Sequence, residues 1–350
     1  MKKLYQSKKQ KKYTQKRIRK QKRLNKNRKP YDLNRRPRTT IYNNNVIEYI
    51  DRPPINAPSN LCLMKKTEDC IDFFKKLRRE NNISKEGKRC FVGISLSDVT
   101  EIDYSTTCVL LAIIGDLKSK GIHIRGNFPK DEKCKKDIID SGLLNSMYDS
   151  SGNPYEKSIR SELLFIEKGT KKLTKHDNIR ISNTVSKVNE HLTGQRKHCK
   201  KLRTILLEIC GNSIEWGGTK NRQWLLGIKY EDDRVIFTIT DVGKGIIKSL
   251  NRKFKAKFKD FFQGKSDDEI LKGAFIKKYG SSSQKENRNK GLPAIKNGFD
   301  IGLLKNLKVL TNQVILHYDD DTLSKVMNGG KEFQGTLYRW VVTAESLNKG

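Results

Sequence analysis

The sequence lacks any apolar run of about 18 residues, the length that a membrane-spanning helix needs. No apolar segment follows its charged first residues, so we expect neither a secretory signal nor a membrane anchor. Its seven cysteines form no C-x-x-C pair, and most of them lie in or beside apolar runs. The sequence therefore predicts reduced, buried thiols, no zinc site and a cytoplasmic location.

Acidic residues are almost missing from the first forty residues, where 18 lysines and arginines stand against Asp32 alone. The resulting charge of +17 is half of the formal +34 of the 350-residue chain. Such a block repels itself and carries few apolar groups, so residues 1–45 are predicted to be a disordered arm. DNA or RNA is a candidate partner of residues 1–40 because phosphate backbones attract cations. A general lysine-rich composition is the other explanation of the charge.

Residues 46–150 alternate between apolar strands and amphipathic helices. The helix predicted from Thr67 has its apolar stripe at positions i, i+3, i+4 and i+7, namely Cys70, Phe73, Phe74 and Leu77. The run 90–96 is typical of a buried strand, and an apolar helix is predicted over 105–121. Another strand follows, and then a helix that Asp131 can cap. This order predicts a small α/β layer with helices packed on a sheet.

Residues 151–198 are less regular, with one strand-like run, "SELLFIEKG", and one helix-like run, "SNTVSKVNEHL". A long helix is predicted over 199–216, and a β-hairpin follows it. Next comes a basic stretch punctuated by glycine and serine, for which we predict no stable period. Three strand-like runs end the sequence: "LKVLT", "QVILHY" and "GTLYRWVVT".

Polar residues of the kinds that bind nucleotides occur on a helix face and after a strand in this second half of the sequence. Glu208 and Asn212 are four residues apart and share one helix face. An amide oxygen beside phosphates suits Mg²⁺, and a carboxylate can orient or deprotonate an attacking water. Asp241 directly follows a strand and can accept an exocyclic amine, while Gly243 and Gly245 let the backbone approach a ligand. These residues together predict a nucleotide pocket.

Two later segments extend the pocket. The glycine-containing stretch that holds Lys290 and Gly291 is predicted to be mobile and to close over phosphates as a lid. The last strand opens with Gly335 and Thr336. Each signal alone is weak, and their order along the chain carries the prediction: helix, hairpin, acidic glycine turn, basic loop, glycine, strands.

Over residues 199–343 this ordered set resembles the GHKL ATPases, which include gyrase-type ATPases, heat-shock chaperone ATPases, MutL, sensor histidine kinases and, most similar here, anti-sigma-factor serine kinases. "LLEICGNSIEW" resembles the N box, which implies Glu208 as the catalytic base and Asn212 as the Mg²⁺ ligand. "DVGKGI" resembles the glycine box in which Asp241 binds adenine. "NKGLPAIKN" resembles the second glycine box but keeps only Gly291 of three glycines, and "FQGTLYRW" resembles the strand in which Thr336 supports the adenine-binding acid. The implied cofactors are ATP and Mg²⁺, held in an α/β sandwich.

The preceding segment, about 46–148, resembles a STAS domain, the fold of anti-anti-sigma factors. In those proteins a D-S-S-G junction carries the serine that a GHKL kinase phosphorylates. Here the junction reads Asp103-Tyr104-Ser105-Thr106, so Ser105 matches the second serine and the glycine is lost. Ser105 is thus a candidate phosphoacceptor, and the N-cap of the following helix is its alternative role. The resemblance also implies a protein partner for the STAS-like domain.

These observations predict an α/β protein with a disordered arm at 1–45, a STAS-like domain at 46–150, a connecting segment at 151–198 and a GHKL ATP-binding domain at 199–350. The expected function is a Mg-ATP-dependent regulatory switch, with slow hydrolysis or phosphoryl transfer to serine or threonine. Two alternatives stay open: a nucleic-acid-associated ATPase tethered by its arm, and a non-catalytic scaffold. A homodimer is one arrangement that the sequence leaves open.

Overall fold

The structure is a computed structural model that describes residues 38–42, 45–49, 53–79, 90–157, 161–162, 164–169, 173–216, 223–254, 264–276 and 291–350. The chain divides into two units, Met1–Asp51 and Arg52–Gly350. In the first unit β1 (Arg38–Tyr42) pairs antiparallel with β2 (Asn45–Tyr49). β1 differs from the predicted disordered arm because its Thr, Ile and Tyr residues suit a pleated strand. The rest of the arm, residues 1–37, lies outside the described residues.

The second unit begins with an α/β layer. Its parallel sheet has the order β3-β5-β7, and a second parallel pair joins β4 to β6. The strands are β3 (Ile55–Asn56), β4 (Asn60–Leu61), β5 (Cys90–Ser95), β6 (Glu101–Ile102) and β7 (Ile122–Gly126). The helices are α1 (Thr67–Arg79), α2 (Tyr104–Lys118) and α3 (Glu132–Asp140). The predicted strands and helices of this region are confirmed, including the buried stripe of α1.

The N-caps of α2 and α3 are both aspartates. Asp131 accepts a hydrogen bond from the backbone N–H of Cys134 at 2.7 Å, as predicted. For α2, Asp103 is the cap, and it accepts from the N–H of Thr106 at 2.6 Å. The alternative role of Ser105 as the N-cap is therefore wrong, because Asp103 occupies that position and Ser105 lies inside the first turn of the helix.

A seven-stranded antiparallel sheet follows, in the order β13-β12-β11-β14-β10-β9-β8. Its strands are β8 (Leu164–Gly169), β9 (Trp224–Glu231), β10 (Arg234–Asp241), β11 (Lys305–Asn312), β12 (Val314–His317), β13 (Lys325–Val326) and β14 (Phe333–Thr343). β9 and β10 form the predicted hairpin, and β11, β12 and β14 are the three predicted runs at the end of the chain.

The helices of this second half are α4 (Lys175–Thr193), α5 (Lys200–Trp216), α6 (Ile246–Phe254), α7 (Asp267–Phe275), α8 (Gly291–Asp300) and α9 (Ala344–Leu347). α5 is the helix predicted to carry the N-box residues. α6 and α7 lie where we predicted no stable period. α7 has a capping box formed by Ser266 and Glu269, which fixes its start even though the surrounding sequence is basic and glycine-rich.

The large sheet is the middle of three layers. Alternate side chains of β10, Val235, Phe237 and Ile239, pack in one core with α4 and α5, while Leu225, Leu310 and Leu337 of neighbouring strands join the core of α1 and α2 on the other face. α2 packs on β9 and β10. A Cβ on Gly227 of β9 would lie under 3.0 Å from the sulfur of Cys108, so the close approach of α2 requires this glycine.

The mixed α/β class is thus confirmed, with parallel pairing in the first layer and antiparallel pairing in the large sheet. Residues 52–350 pack as one unit. The predicted boundaries at residues 150 and 198 inside it stay predictions, as do the STAS and GHKL assignments of its two parts. Within the described ranges, no helix is both long and apolar enough to cross a membrane.

Candidate functional site

Asp241 is the last residue of β10, on a central strand with neighbours on both sides. It lies in register with Thr336 of β14 and is 5% exposed. Its side chain accepts a hydrogen bond from the backbone N–H of Gly243 at 2.8 Å. The N–H of Thr336 also contacts it, and Ser213, whose hydroxyl donates to the carbonyl of Ile209 at 3.1 Å, lies close by. Asp241 is therefore a buried carboxylate with one turn, one helix and one strand around it.

Burial raises the pKa of Asp241 to about 6. The hydrogen bonds of Gly243, Ser213 and Thr336 and the positive charge of Arg78 oppose this rise. The carboxylate is consequently ionised at neutral pH although almost no water reaches it. A group in that state gains strongly from any further N–H donor that a ligand offers.

Helix α5 carries Glu208, Asn212 and Ser213. Ser213 lies near Asp241, Asn212 directly precedes Ser213 along the helix, and Glu208 lies one helical turn before Asn212. Both Glu208 and Asn212 are half-buried. Glu208 and Asn212 therefore belong to the helix that approaches Asp241 through Ser213, on the helical face of the sheet.

Gly291, the first residue of α8, lies close to the side chain of Asn212. A Cβ on Gly291 would lie under 3.0 Å from the amide nitrogen of Asn212, so a larger residue there would displace the Asn212 side chain. α8 is 10 residues long, and the N-terminus of such a helix carries a partial positive charge that favours anions. Gly291 thus joins the site, while Lys290, predicted to lie in the lid, is outside the described residues.

The glycine turn after β10 depends on Gly245. This residue has φ +80°, and a Cβ there would come under 3.0 Å from the side-chain oxygen of Asn312. The left-handed backbone and the lack of space both require glycine. Gly243 contributes its N–H to Asp241, so both glycines of the predicted box shape the carboxylate's surroundings.

Sequence reasoning missed Thr311 and Asn312, which end β11 beside this turn. The hydroxyl of Thr311 accepts from the N–H of Ile246 at 2.9 Å and donates to the carbonyl of Gly335 at 3.0 Å. The amide of Asn312 donates to the carbonyl of Lys244 at 2.9 Å. Both residues are fully buried. The sequence signal was a Thr-Asn pair at the end of an apolar run, which is also what an ordinary turn looks like.

Thr336 supports Asp241 through its backbone. Its N–H contacts the carboxylate, whereas its hydroxyl lies 3.4 Å from the hydroxyl of Thr311. The resemblance had implied a supporting threonine without saying which of its groups acts. The side chains of Thr311 and Thr336 together form a buried polar floor next to Asp241.

Arg78 was also missed, and it reaches the site from α1 in the first layer. Its guanidinium donates to the carbonyl of Val242 at 2.7 Å and to that of Gln334 at 2.6 Å. These two carbonyls belong to the segments that flank Asp241 and Thr336. In the sequence Arg78 is one of several basic residues at the end of a helix, with nothing to distinguish it.

Ser105 is not brought to this site. It is 2% exposed, and its oxygen lies 3.3 Å from that of Thr238, whose side chain is on the face of β10 opposite to Asp241. A phosphoryl group held near Asn212 is on the other side of the sheet. Transfer to Ser105 requires α2 to leave the sheet.

The residues present fit Mg-ATP better than they fit a metal alone. The described residues include no group of three or more His, Cys, Asp or Glu side chains that would hold an ion. Asn212 offers one hard oxygen ligand, and Mg²⁺ is commonly bound by one or two protein oxygens together with phosphates and water. Asn212 with Glu208 beside it is that kind of incomplete ligand set.

No protein-family model matches the sequence, and no curated protein matches it significantly.

Proposed function

We propose that this protein is a Mg-ATP-binding regulatory protein of the GHKL type, in which a STAS-like layer is joined to the ATP site. The observation that carries the proposal is Asp241, a buried carboxylate held by three polar contacts at the end of a central strand. Glycine turns, an Asn-bearing helix and a helix N-terminus surround it in the order in which the sequence motifs occur.

The base of the nucleotide would bind at Asp241. An exocyclic amine donates the hydrogen bond that a buried, ionised carboxylate gains from most, and a ring that carries a carbonyl at that place would repel it. Val242 and Gly243 are the backbone nearest to the carboxylate. Thr311 and Thr336 line the buried side and keep Asp241 oriented.

The phosphates would extend towards Asn212 and the start of α8. The helix N-terminus at Gly291 favours negative charge, and the amide of Asn212 is in contact with that terminus. When bound, Mg²⁺ would neutralise phosphate charge, with the side-chain oxygen of Asn212 as its protein ligand. Glu208, one turn away on α5, would orient a water molecule for attack.

Between hydrolysis and phosphoryl transfer, the geometry favours hydrolysis. Ser105, the candidate phosphoacceptor, is buried against Thr238 on the opposite face of the sheet. Glu208 lies on the same helix face as Asn212, where a water can be held. We therefore propose slow hydrolysis as the reaction that resets the switch.

The test is calorimetric titration of the full chain with Mg-ATP, together with the variants Asp241→Asn and Asp232→Asn. Asp232 is an exposed acid at the tip of the β9–β10 hairpin, so its variant is matched in charge but remote from the site. We expect low-micromolar binding by the wild type and by D232N. Loss of one charge-assisted hydrogen bond predicts that D241N binds roughly 10- to 100-fold more weakly. Absence of binding by the wild type would leave the scaffold alternative.

A second candidate function, a nucleic-acid-associated ATPase, rests on the arm. Residues 1–40 carry a net charge of +17, and such a segment attracts phosphate backbones. The two proposals are compatible, because nucleic-acid binding by the arm does not require the nucleotide site.

A further inference from the structure

We propose that Arg78 of α1 is a positioning residue of the nucleotide site, so that the first layer completes a site whose other residues all come from residues 199–350. This inference rests on the proposed function. It assigns a role in the nucleotide site to α1, which lies outside the segment that carries the nucleotide motifs. It also identifies a contact through which a displacement of α1 would change nucleotide affinity.

The guanidinium of Arg78 joins the two backbone segments that hold Asp241. One nitrogen donates to the carbonyl of Val242, the residue after Asp241, and another donates to the carbonyl of Gln334, the residue before Gly335. A guanidinium is planar, with donors at fixed angles, so two such bonds constrain the orientation of the two segments. Arg78 thus adds a side-chain link between the glycine turn and the start of β14, which strand pairing of Asp241 with Thr336 already brings together.

One donor of Arg78, the N–H at Nε, carries an energetic cost in this arrangement. Its Nε is buried and has no hydrogen-bond partner among the described residues. Leaving a buried donor unsatisfied costs free energy, so the two carbonyl bonds and the surrounding charges must outweigh that cost. Asp116 of α2 and Asp241 supply negative charge near the guanidinium.

One stripe of α1 docks along the chain that leads into β14. Glu68 pairs with Lys325 at 3.9 Å, and Asp72 forms an ion pair with Lys331. Lys75 donates to the carbonyl of Gly330 at 3.3 Å. With Arg78, the contacting residues are spaced by four, three and three positions, which is one stripe of a helix.

The outer contacts are exposed or partly buried, and each contributes little by itself. Their joint effect is to fix the register of α1 against residues 325–334, so that Arg78 reaches its two carbonyls. A shift of α1 by one turn, about 5.4 Å, would remove Arg78 from both. Because coupling between sites is reciprocal, a partner that displaces α1 would weaken nucleotide binding, and bound nucleotide would resist the displacement.

The experiment compares Arg78→Met and Arg78→Lys with Arg79→Met in the full chain. Arg79 is the next residue of α1 and is exposed, so R79M removes the same charge from the same turn without touching the site. The affinities for Mg-ATP and for Mg-GTP are measured by calorimetry, with circular dichroism to verify folding at the assay temperature. GTP is the second probe because its base presents a carbonyl where adenine presents an amine.

We expect R78M to lower the affinity for Mg-ATP at least tenfold and to reduce the ATP-to-GTP preference, since a displaced Asp241 no longer distinguishes the two bases. R78K should restore part of both because it keeps the charge and one donor. R79M should match the wild type in affinity and preference. A structural role alone would lower both affinities in parallel and leave the preference unchanged, which would overturn the proposal.

The failures of the two proposals are distinguishable. A wild type that binds no Mg-ATP overturns the proposed function and the role of Arg78 with it. A wild type that binds, with R78M equal to it in affinity and preference, overturns the role of Arg78 alone. Should R78M not fold, the comparison of R78K with R79M decides: an unchanged preference in R78K overturns the proposal, and a reduced one supports it.

Discussion

A Cβ atom on Gly335 would lie under 3.0 Å from the carbonyl oxygen of Asp241, so the two residues approach each other as closely as two backbones can. Gly335 has φ +146°, a conformation that residues with side chains rarely adopt. Its own carbonyl accepts from the hydroxyl of Thr311 at 3.0 Å. The start of β14 is therefore held against the end of β10 by contacts that only glycine permits.

Gly335→Ala should destabilise the protein by about 2 to 5 kcal/mol, the joint cost of an unfavourable backbone and an overpacked contact. The matched control is Gly329→Ala, where φ is +67° but nothing lies within 4 Å of the added carbon. Only backbone strain applies there, so about 1 kcal/mol is expected. Urea denaturation measures both, and equal losses would contradict the contact with Asp241.

The close approach of Gly291 to Asn212 predicts that a substitution at Gly291 weakens Mg-ATP binding. Gly211, on the same helix as Asn212, offers a control. Gly291→Ala should push the amide of Asn212 aside and weaken Mg-ATP binding roughly tenfold, the effect of losing about 1.4 kcal/mol. The loss should be much smaller for ATP measured with a chelator, because Asn212 is the proposed Mg²⁺ ligand.

Gly211→Ala is the control for G291A. Gly211 precedes Asn212 on α5, and a Cβ there meets only a carbon of Leu173 at 3.8 Å. Alanine inside a helix is favoured over glycine by roughly 0.5 to 1 kcal/mol, so G211A should raise the unfolding free energy and keep binding. If G211A reduced Mg-ATP affinity as much as G291A does, the specific role of Gly291 would be excluded.

The elements that carry local signals were predictable from the sequence. α3 has its aspartate cap, α1 has its apolar stripe, and the β9–β10 hairpin has an acidic turn between two apolar runs. α7 also carried a local signal, the Ser266–Glu269 capping box, but the basic residues and glycines around it obscured the period. α2 shows the limit of capping signals, since both Asp103 and Ser105 are residues that favour this position.

The residues that the sequence did not reveal act through tertiary contacts. Arg78 bonds to Val242 across 164 positions of the chain, and Thr311 bonds to Ile246 across 65. Hydrogen bonds between residues so far apart in the sequence cannot be recognised from local composition. Asp241 and Asn212 were predictable because each stands at the end or on the face of a regular element, where the fold fixes the direction of the side chain.

The burial of Ser105 predicts that it tolerates alanine but not a charge. Ser105→Ala loses the contact with Thr238 and should cost about 1 kcal/mol, whereas Ser105→Glu places a carboxylate between α2 and the sheet and should cost several kcal/mol. Thermal unfolding measures the difference. Incubation with Mg-ATP and peptide mass spectrometry should find no phosphate on Ser105, and stoichiometric labelling would contradict the buried position.

Removal of residues 1–37 tests the nucleic-acid candidate without touching the described fold. The full chain should bind single- or double-stranded DNA with an affinity that falls steeply as salt rises, because each neutralised phosphate releases counterions. The truncated chain should lose most of this affinity and keep Mg-ATP binding. Fluorescence anisotropy at several salt concentrations measures both chains. Equal DNA affinity in the truncated chain would exclude the arm as the contact.

The raised pKa of Asp241 predicts a pH dependence of stability with a defined sign. In the folded protein its pKa is about 6, against an ordinary value of 3.8, so the folded state binds more protons between these values. The stabilisation is fully present below pH 3.8 and is lost as the pH rises through 6. Asp241→Asn cannot titrate, so its stability relative to the wild type should increase by roughly 1 to 3 kcal/mol between pH 4 and pH 7.

Urea denaturation of D241N, D232N and wild type at several pH values measures this difference, and D232N should follow the wild type throughout. A D241N variant that is more stable at neutral pH but binds Mg-ATP more weakly would mean that the buried charge is kept for the ligand at the expense of the fold. Saturating Mg-ATP should then move the wild-type transition to lower pH, because an amine donor favours the ionised carboxylate. A constant difference between D241N and wild type across this range would instead mean that Asp241 titrates at its ordinary pKa, which requires water to reach the end of β10 and contradicts the buried site.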